Sequence, residues 1–151
     1  MIFFYNRVDE NKSNSFILND FNAKVRGLTS VILSKQEVNR FGMVARYFHL
    51  DKSSIFTLKK KFFSNAVDGA EELGLRFNKP TEFHGFKIND IIEVSAAEMQ
   101  LNGVNHKGIL IQRDINNNPN SVSSISQDTL TEISAKYSSK VSELEIERLI
   151  K

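Results

Sequence analysis

The stretch MVARYFHLDKSSIFTLKKKFF, Met43 to Phe63, decides how this chain is read. It sets a small residue, a run of apolar positions, a short polar break, two adjacent serines and then three consecutive lysines. It is either a pair of helices that lays side chains in a groove, or a basic helix packed on a small core. Neighbouring signals favour the pair. Ser34 followed by Glu37 is a capping-box spacing, a hydroxyl for an orphan amide and a carboxylate reaching back. It predicts a helix from about Lys35, with Val38, Phe41, Ala45 and Phe48 as its apolar stripe. The triplet HLD breaks that helix. Asp51 then serves as N-cap of a second helix running to about Phe63, with Ile55, Leu58 and Phe62 turned inward.

Charge is concentrated in the same place. The net charge of the 151 residues is +2. Residues 35 to 62 carry seven Lys and Arg (Lys35, Arg40, Arg46, Lys52, Lys59, Lys60, Lys61) against Glu37 and Asp51, a balance of +5. The preceding residues balance at +1 and the following ones at −4. A basic block between neutral and acidic parts is the footprint that a polyanionic partner requires, and equally that of a solvated helix face.

Outward from this block, IFFYNRV (residues 2–8) reads as an opening strand. The segment Asp20 to Leu33 reads as a helix, with Phe21, Val25, Leu28 and Ile32 at three-to-four spacing. SNAVDGAEELGL adds a short third helical piece ending near Gly74. FHGFKINDIIEVS and HKGILIQRDI have strand character. Residues 116–128, NNNPNSVSSISQD, form a polar linker. The final residues place Leu130, Ile133, Tyr137, Val141 and Leu144 on one stripe, an amphipathic helix of roughly six turns.

Met43 to Lys60 resembles the helix-turn-helix of DNA-binding regulators, a likeness that covers residues 41–62. Ala45 is the small residue where two helices cross, Phe48 and Leu50 are the apolar positions around the turn, and Ile55 and Leu58 face in from the second helix. The turn holds His49 where that family usually has Gly; histidine is among the residues that tolerate positive φ better than most. The resemblance implies that Lys52, Ser53, Phe56, Thr57 and Lys60 read base edges and that Arg46, Lys59 and Lys61 contact phosphates. Residues 85–114 also resemble the start of an SH3-like barrel of the Tudor or KOW type. Asp90 to Val94 and Gly103 to Arg113 echo its spacing, and a wing behind the helix pair explains the same residues. Either arrangement would offer Lys107 and Arg113 to nucleic acid.

Other chemistry has little footing. The chain has no cysteine, which excludes disulfides and thiolate metal sites and fits an intracellular protein. His49, His84 and His106 are isolated, so no metal is expected. Asp90 and Glu93 lack the lysine of a nuclease pair two residues on, where Ser95 stands. No phosphate loop or membrane span is present, and neither an enzyme, a cofactor nor a small-molecule substrate is implied.

The expected fold is therefore α+β: a strand and helical bundle with the helix-turn-helix (1–78), a small β unit, SH3-like barrel or wing (79–115), the linker (116–128) and a C-terminal amphipathic helix (129–151). The expected function is regulatory binding of double-stranded DNA in the cytoplasm of a bacterial or virus-infected cell; the C-terminal helix either packs back on its own domain or, set apart by the linker, holds a second copy. The rival is a structural or assembly protein, such as a phage virion component, whose basic and C-terminal helices are protein interfaces.

Overall fold

In the computed structural model, which describes residues 12–150 apart from 64, 119, 121 and 122, the chain runs α1 (Asn14–Leu33), β1 (Gly42–Leu50), α2 (Ser54–Phe62), β2 (Gly74–Asn78), β3 (Thr81–Phe83), β4 (Phe86–Leu101), β5 (Val104–Asn117), α3 (Gln127–Ser138) and α4 (Glu143–Ile150). Single 3-10 turns stand at Asn65–Val67 and Ser139–Val141. The strand read over residues 2–8 lies outside the described residues.

The strands form one antiparallel sheet in the order β1-β5-β4-β2, with β3 also paired to β4. Its spine is the β4–β5 hairpin, closed by Asn102 and Gly103 at φ of 51° and 79°. Positive φ at both central residues is what a tight turn between twisted strands requires. His84 (φ 51°) and Gly85 (φ 75°) turn β3 into β4 in the same way.

Alternation sorts the side chains into two faces. Ile88, Ile92 and Val94 of β4 and Ile109, Ile111 and Ile115 of β5 are buried on one face. That face carries two cores. Leu58 of α2 and Leu73 meet Ile92, Val94, Ile109 and Ile111. Ile133 and Tyr137 of α3, with Val141 and Ile125, meet Phe86, Ile88 and Ile115.

These facts correct the expected bundle. The molecule is α+β, but it is built on a five-stranded sheet. The helix expected from Lys35 to Phe48 is a turn at Lys35 and Gln36 that leads through irregular chain into β1, which pairs with β5 from Gly42↔Asn116 to Leu50↔Gly108. Ser34 closes α1 instead of opening a new helix, its hydroxyl donating to the Val31 carbonyl at 2.8 Å. Glu37 accepts from the Ser124 hydroxyl, on the far side of the chain. The stripe Val38, Phe41, Ala45, Phe48 fits a helix, but Met43, Ala45 and Tyr47 alternating with Val44, Arg46 and Phe48 fit a strand equally. The β-branched and aromatic content and the β5 partner decide for the strand. Ser13 opens α1 earlier than expected, its hydroxyl accepting from the Phe16 amide at 3.2 Å.

The expected β unit is not separate: β1 and β2 share the sheet with β4 and β5, and that sheet is open at β1 and β2. Gly74 begins a strand rather than ending a helix. The expected linker is shorter, because β5 reaches Asn117 and α3 begins at Gln127. The C-terminal helix is two helices with a 3-10 turn between. Ile133, Tyr137 and Val141 of its stripe are buried in the chain's own core.

Candidate nucleic-acid interface

α2 forms for local reasons. The Asp51 carboxylate accepts from the Ser53 amide at 2.7 Å and from the Thr57 hydroxyl at 2.6 Å. The Asp51 carbonyl accepts from the Ser54 amide at 3.2 Å. An acidic group at this end also suits the helix dipole, as Lys59, Lys60 and Lys61 do in the last turn. The inward side is Leu58, fully buried, with Ile55 and Phe62 packed beside it on the sheet. The helix ends at Phe63, whose backbone is extended.

What remains faces solvent. Lys52, Ser53, Lys60 and Lys61 are exposed, and Phe56 is 67% exposed. Thr57 is half-buried and its hydroxyl is committed to Asp51. Lys59 lies along the surface and pairs with Asp68 at 2.5 Å. A cation already neutralised in this way is a weaker phosphate ligand than Lys60 or Lys61.

Arg46 does not join the group. Its Nε donates to Gln112 at 2.5 Å, on the sheet face opposite α2. There it belongs to a polar row across four strands, Arg46–Gln112–Glu93–Arg76, in which Arg76 donates to Glu93 at 2.7 Å. Lys107 does lie close. Its carbonyl accepts the Asp51 amide at 3.1 Å, which sets Lys107 beside the start of α2. Its ammonium stands 3.5 Å from Glu98.

Arg113 corrects a second expectation. It is no groove contact but a buried residue. Its Nε and Nη2 donate to the two Asp90 oxygens, both at 2.8 Å, and Nη1 donates to the Lys140 carbonyl at 2.8 Å. Lys140 adds its ammonium to Asp90 at 3.0 Å. Burial alone would push the Asp90 carboxyl up; the hydrogen bonds and charges of Arg113 and Lys140 outweigh it and hold the group below its ordinary value. Glu93 points to the opposite face, so Asp90 and Glu93 form no pair.

Lys107, already expected to face nucleic acid, is found beside the start of α2; the group that sequence reasoning missed is the Asp90–Arg113–Lys140 cluster. That cluster had a signal. In Ile109-Ile111-Arg113-Ile115 and Ile88-Asp90-Ile92-Val94, one charge of each sign stands at an inward position of the alternation.

His49, His84 and His106 stay apart, and His84 pairs with Glu132 at 2.5 Å. Among the described residues no three His, Asp or Glu side chains gather as metal ligands, and no helix is long and apolar enough to cross a membrane. No family model matches the chain, and neither a curated protein nor a solved structure matches it.

Proposed function

We propose that the chain binds duplex DNA through α2, as a regulatory protein in the cytoplasm of a bacterial cell or of one infected by a virus. The observation that carries this reading is the outward side of α2. Lys52, Ser53, Phe56 and Lys60 are exposed together while Leu58 anchors the helix to the sheet. A helix fits the major groove, where hydroxyls and ammonium groups meet base edges or phosphates and an aromatic ring meets a thymine methyl. The element before α2 is a strand, so docking rests on α2 held by the sheet rather than on two crossed helices. Lys61 and Lys107 flank it as phosphate contacts, which fix position without reading sequence.

A titration followed by amide NMR shifts, with a pool of short random duplexes, tests this. Shifts concentrated on Lys52 to Lys61 support it. Shifts on the opposite sheet face, or none at low salt, reject it.

A second reading, an assembly or virion protein, draws support from exposed apolar side chains away from α2. Leu50 is 59% and Val44 is 53% exposed. In that case α2 meets an acidic protein surface, and duplex DNA leaves the α2 amides unmoved.

A further inference from the structure

We propose that the sheet face opposite the helices is a homodimer interface, covered in solution by the same face of a second copy. Among the described residues the helices lie on one side only, and neither core includes Val44, Phe48, Leu50, Met99, Val104 or Leu110. By register all six belong to the other face. Val104 is 57% exposed and Leu50 59%.

The hairpin makes this face long. β1 leaves β5 at Gly108 and β2 leaves β4 at Ser95. Beyond them the pairs Glu98↔Lys107, Met99↔His106 and Gln100↔Asn105 continue as a two-stranded arm. A lone two-stranded ribbon is marginal in water and needs a packing partner.

The size fits a second copy. At ~4.8 Å between strands and ~3.4 Å per residue, the face from the Val44 row to the hairpin tip offers roughly 600 Å² per copy. A symmetric pair therefore buries about 1,200 Å², the lower end of stable specific interfaces. The composition fits too. A two-fold interface must complement itself. This face carries an apolar end, where the Phe48 ring lies over Gly108, and an adjoining band with both signs, Arg46 and Arg76 beside Glu93 and Asp114. A copy rotated about an axis along the strands meets apolar end with apolar end, while Arg46 and Arg76 keep their partners Gln112 and Glu93 within the chain. Two sheets meeting in this way pack about 10 Å apart, as in a β-sandwich.

Sedimentation velocity of the full chain over a wide concentration range tests the proposal, with Met99→Glu and Val104→Glu as variants and circular dichroism as the folding control. Val104 is at the exposed tip, so its substitution does not disturb the core. The proposal expects a dimer whose dissociation constant rises at least about tenfold in each folded variant, a loss of ~1.4 kcal/mol. Lys60→Ala, on the other side of the molecule, leaves it unchanged. A wild type that stays monomeric at every concentration overturns the proposal, and so does a dimer insensitive to both substitutions.

Discussion

The Arg113 guanidinium grips both oxygens of the Asp90 carboxylate, 2.8 Å each, from a diagonal position on the neighbouring strand. The pair sits on the helix side of the sheet, between the two apolar cores, with Asp90 only 1% exposed. Its third member, Lys140, ties the turn between α3 and α4 to the same carboxylate. The polar cluster thus fixes where the C-terminal helices lie on the sheet.

Breaking it from one side leaves charge buried without its counterion. Asp90→Asn is expected to cost ~3–5 kcal/mol, whereas replacing both members by apolar residues of similar volume costs far less. Chemical denaturation of Asp90→Leu, Arg113→Met and the double variant forms the cycle. A double variant as unstable as the sum of the two single ones contradicts the assignment.

The same carboxylate sets an acid limit. Its pKa is held below the ordinary value of 3.8, so the stability it contributes is complete above that value and lost as pH falls below it toward the folded-state pKa. Asp90→Asn should flatten the acid arm of a stability-versus-pH curve. An unchanged arm in that variant means other carboxylates carry the acid sensitivity.

Gly108 has a steric reason to be glycine. A Cβ there would clash with the His49 carbonyl oxygen and stand 2.6 Å from the Phe48 ring, which lies across the position. Gly108→Ala therefore forces β1 away from β5 and is expected to cost ~1–3 kcal/mol. A thermal melt with no change in midpoint refutes this.

Asn117, fully buried, holds the chain that enters β1. Its Oδ1 accepts from the Phe41 amide at 2.9 Å and its Nδ2 donates to the Asn39 carbonyl at 2.7 Å. Asn117→Ala leaves both backbone groups without this partner, at a cost of about 1–3 kcal/mol. Hydrogen exchange at the Phe41 amide should accelerate well beyond the change at Ile109, in the centre of the sheet. Equal protection at both amides in the variant contradicts the role.

What was legible in the sequence was local. α2 could be read because Ile55, Leu58 and Phe62 state its buried side and Asp51 marks its approach, although the helix begins at Ser54 with Ser53, not Asp51, as N-cap. β4 and β5 could be read from their runs of isoleucine. β1 could not, because Phe41, Ala45 and Phe48 satisfy a helical period as well as the strand period. The partner that decides, Asn116 back to Gly108, lies 74 to 58 residues on in the chain (116 − 42 and 108 − 50). Arg46 followed β1 to the far face for the same reason. The break between α3 and α4 is also fixed from afar, by Arg113 donating to the Lys140 carbonyl and Tyr47 donating to the Val141 carbonyl at 2.5 Å. Arg113, expected to be offered to nucleic acid, is buried, and its inward place in the alternation is the signal that it pairs inside the protein instead.

The α2 side chains should separate by role. Phe56→Ala or Ser53→Ala, if these positions read bases, costs ~1–3 kcal/mol on a preferred site and relaxes preference at one position, while Lys61→Ala weakens every sequence alike. Competition between selected and random duplexes distinguishes the two. Equal loss on both duplexes for Phe56→Ala removes it from base readout.

The most direct test of the central claim is fluorescence anisotropy of random duplex DNA titrated with the folded protein, from low to physiological salt, alongside the Lys60→Ala, Lys61→Ala variant. Binding by α2 predicts an affinity that falls steeply with salt, and a logarithmic slope smaller by about one in the variant, the share of the Lys61 phosphate contact. A folded wild type that ignores DNA at the lowest salt, or a variant with undiminished slope, contradicts the claim.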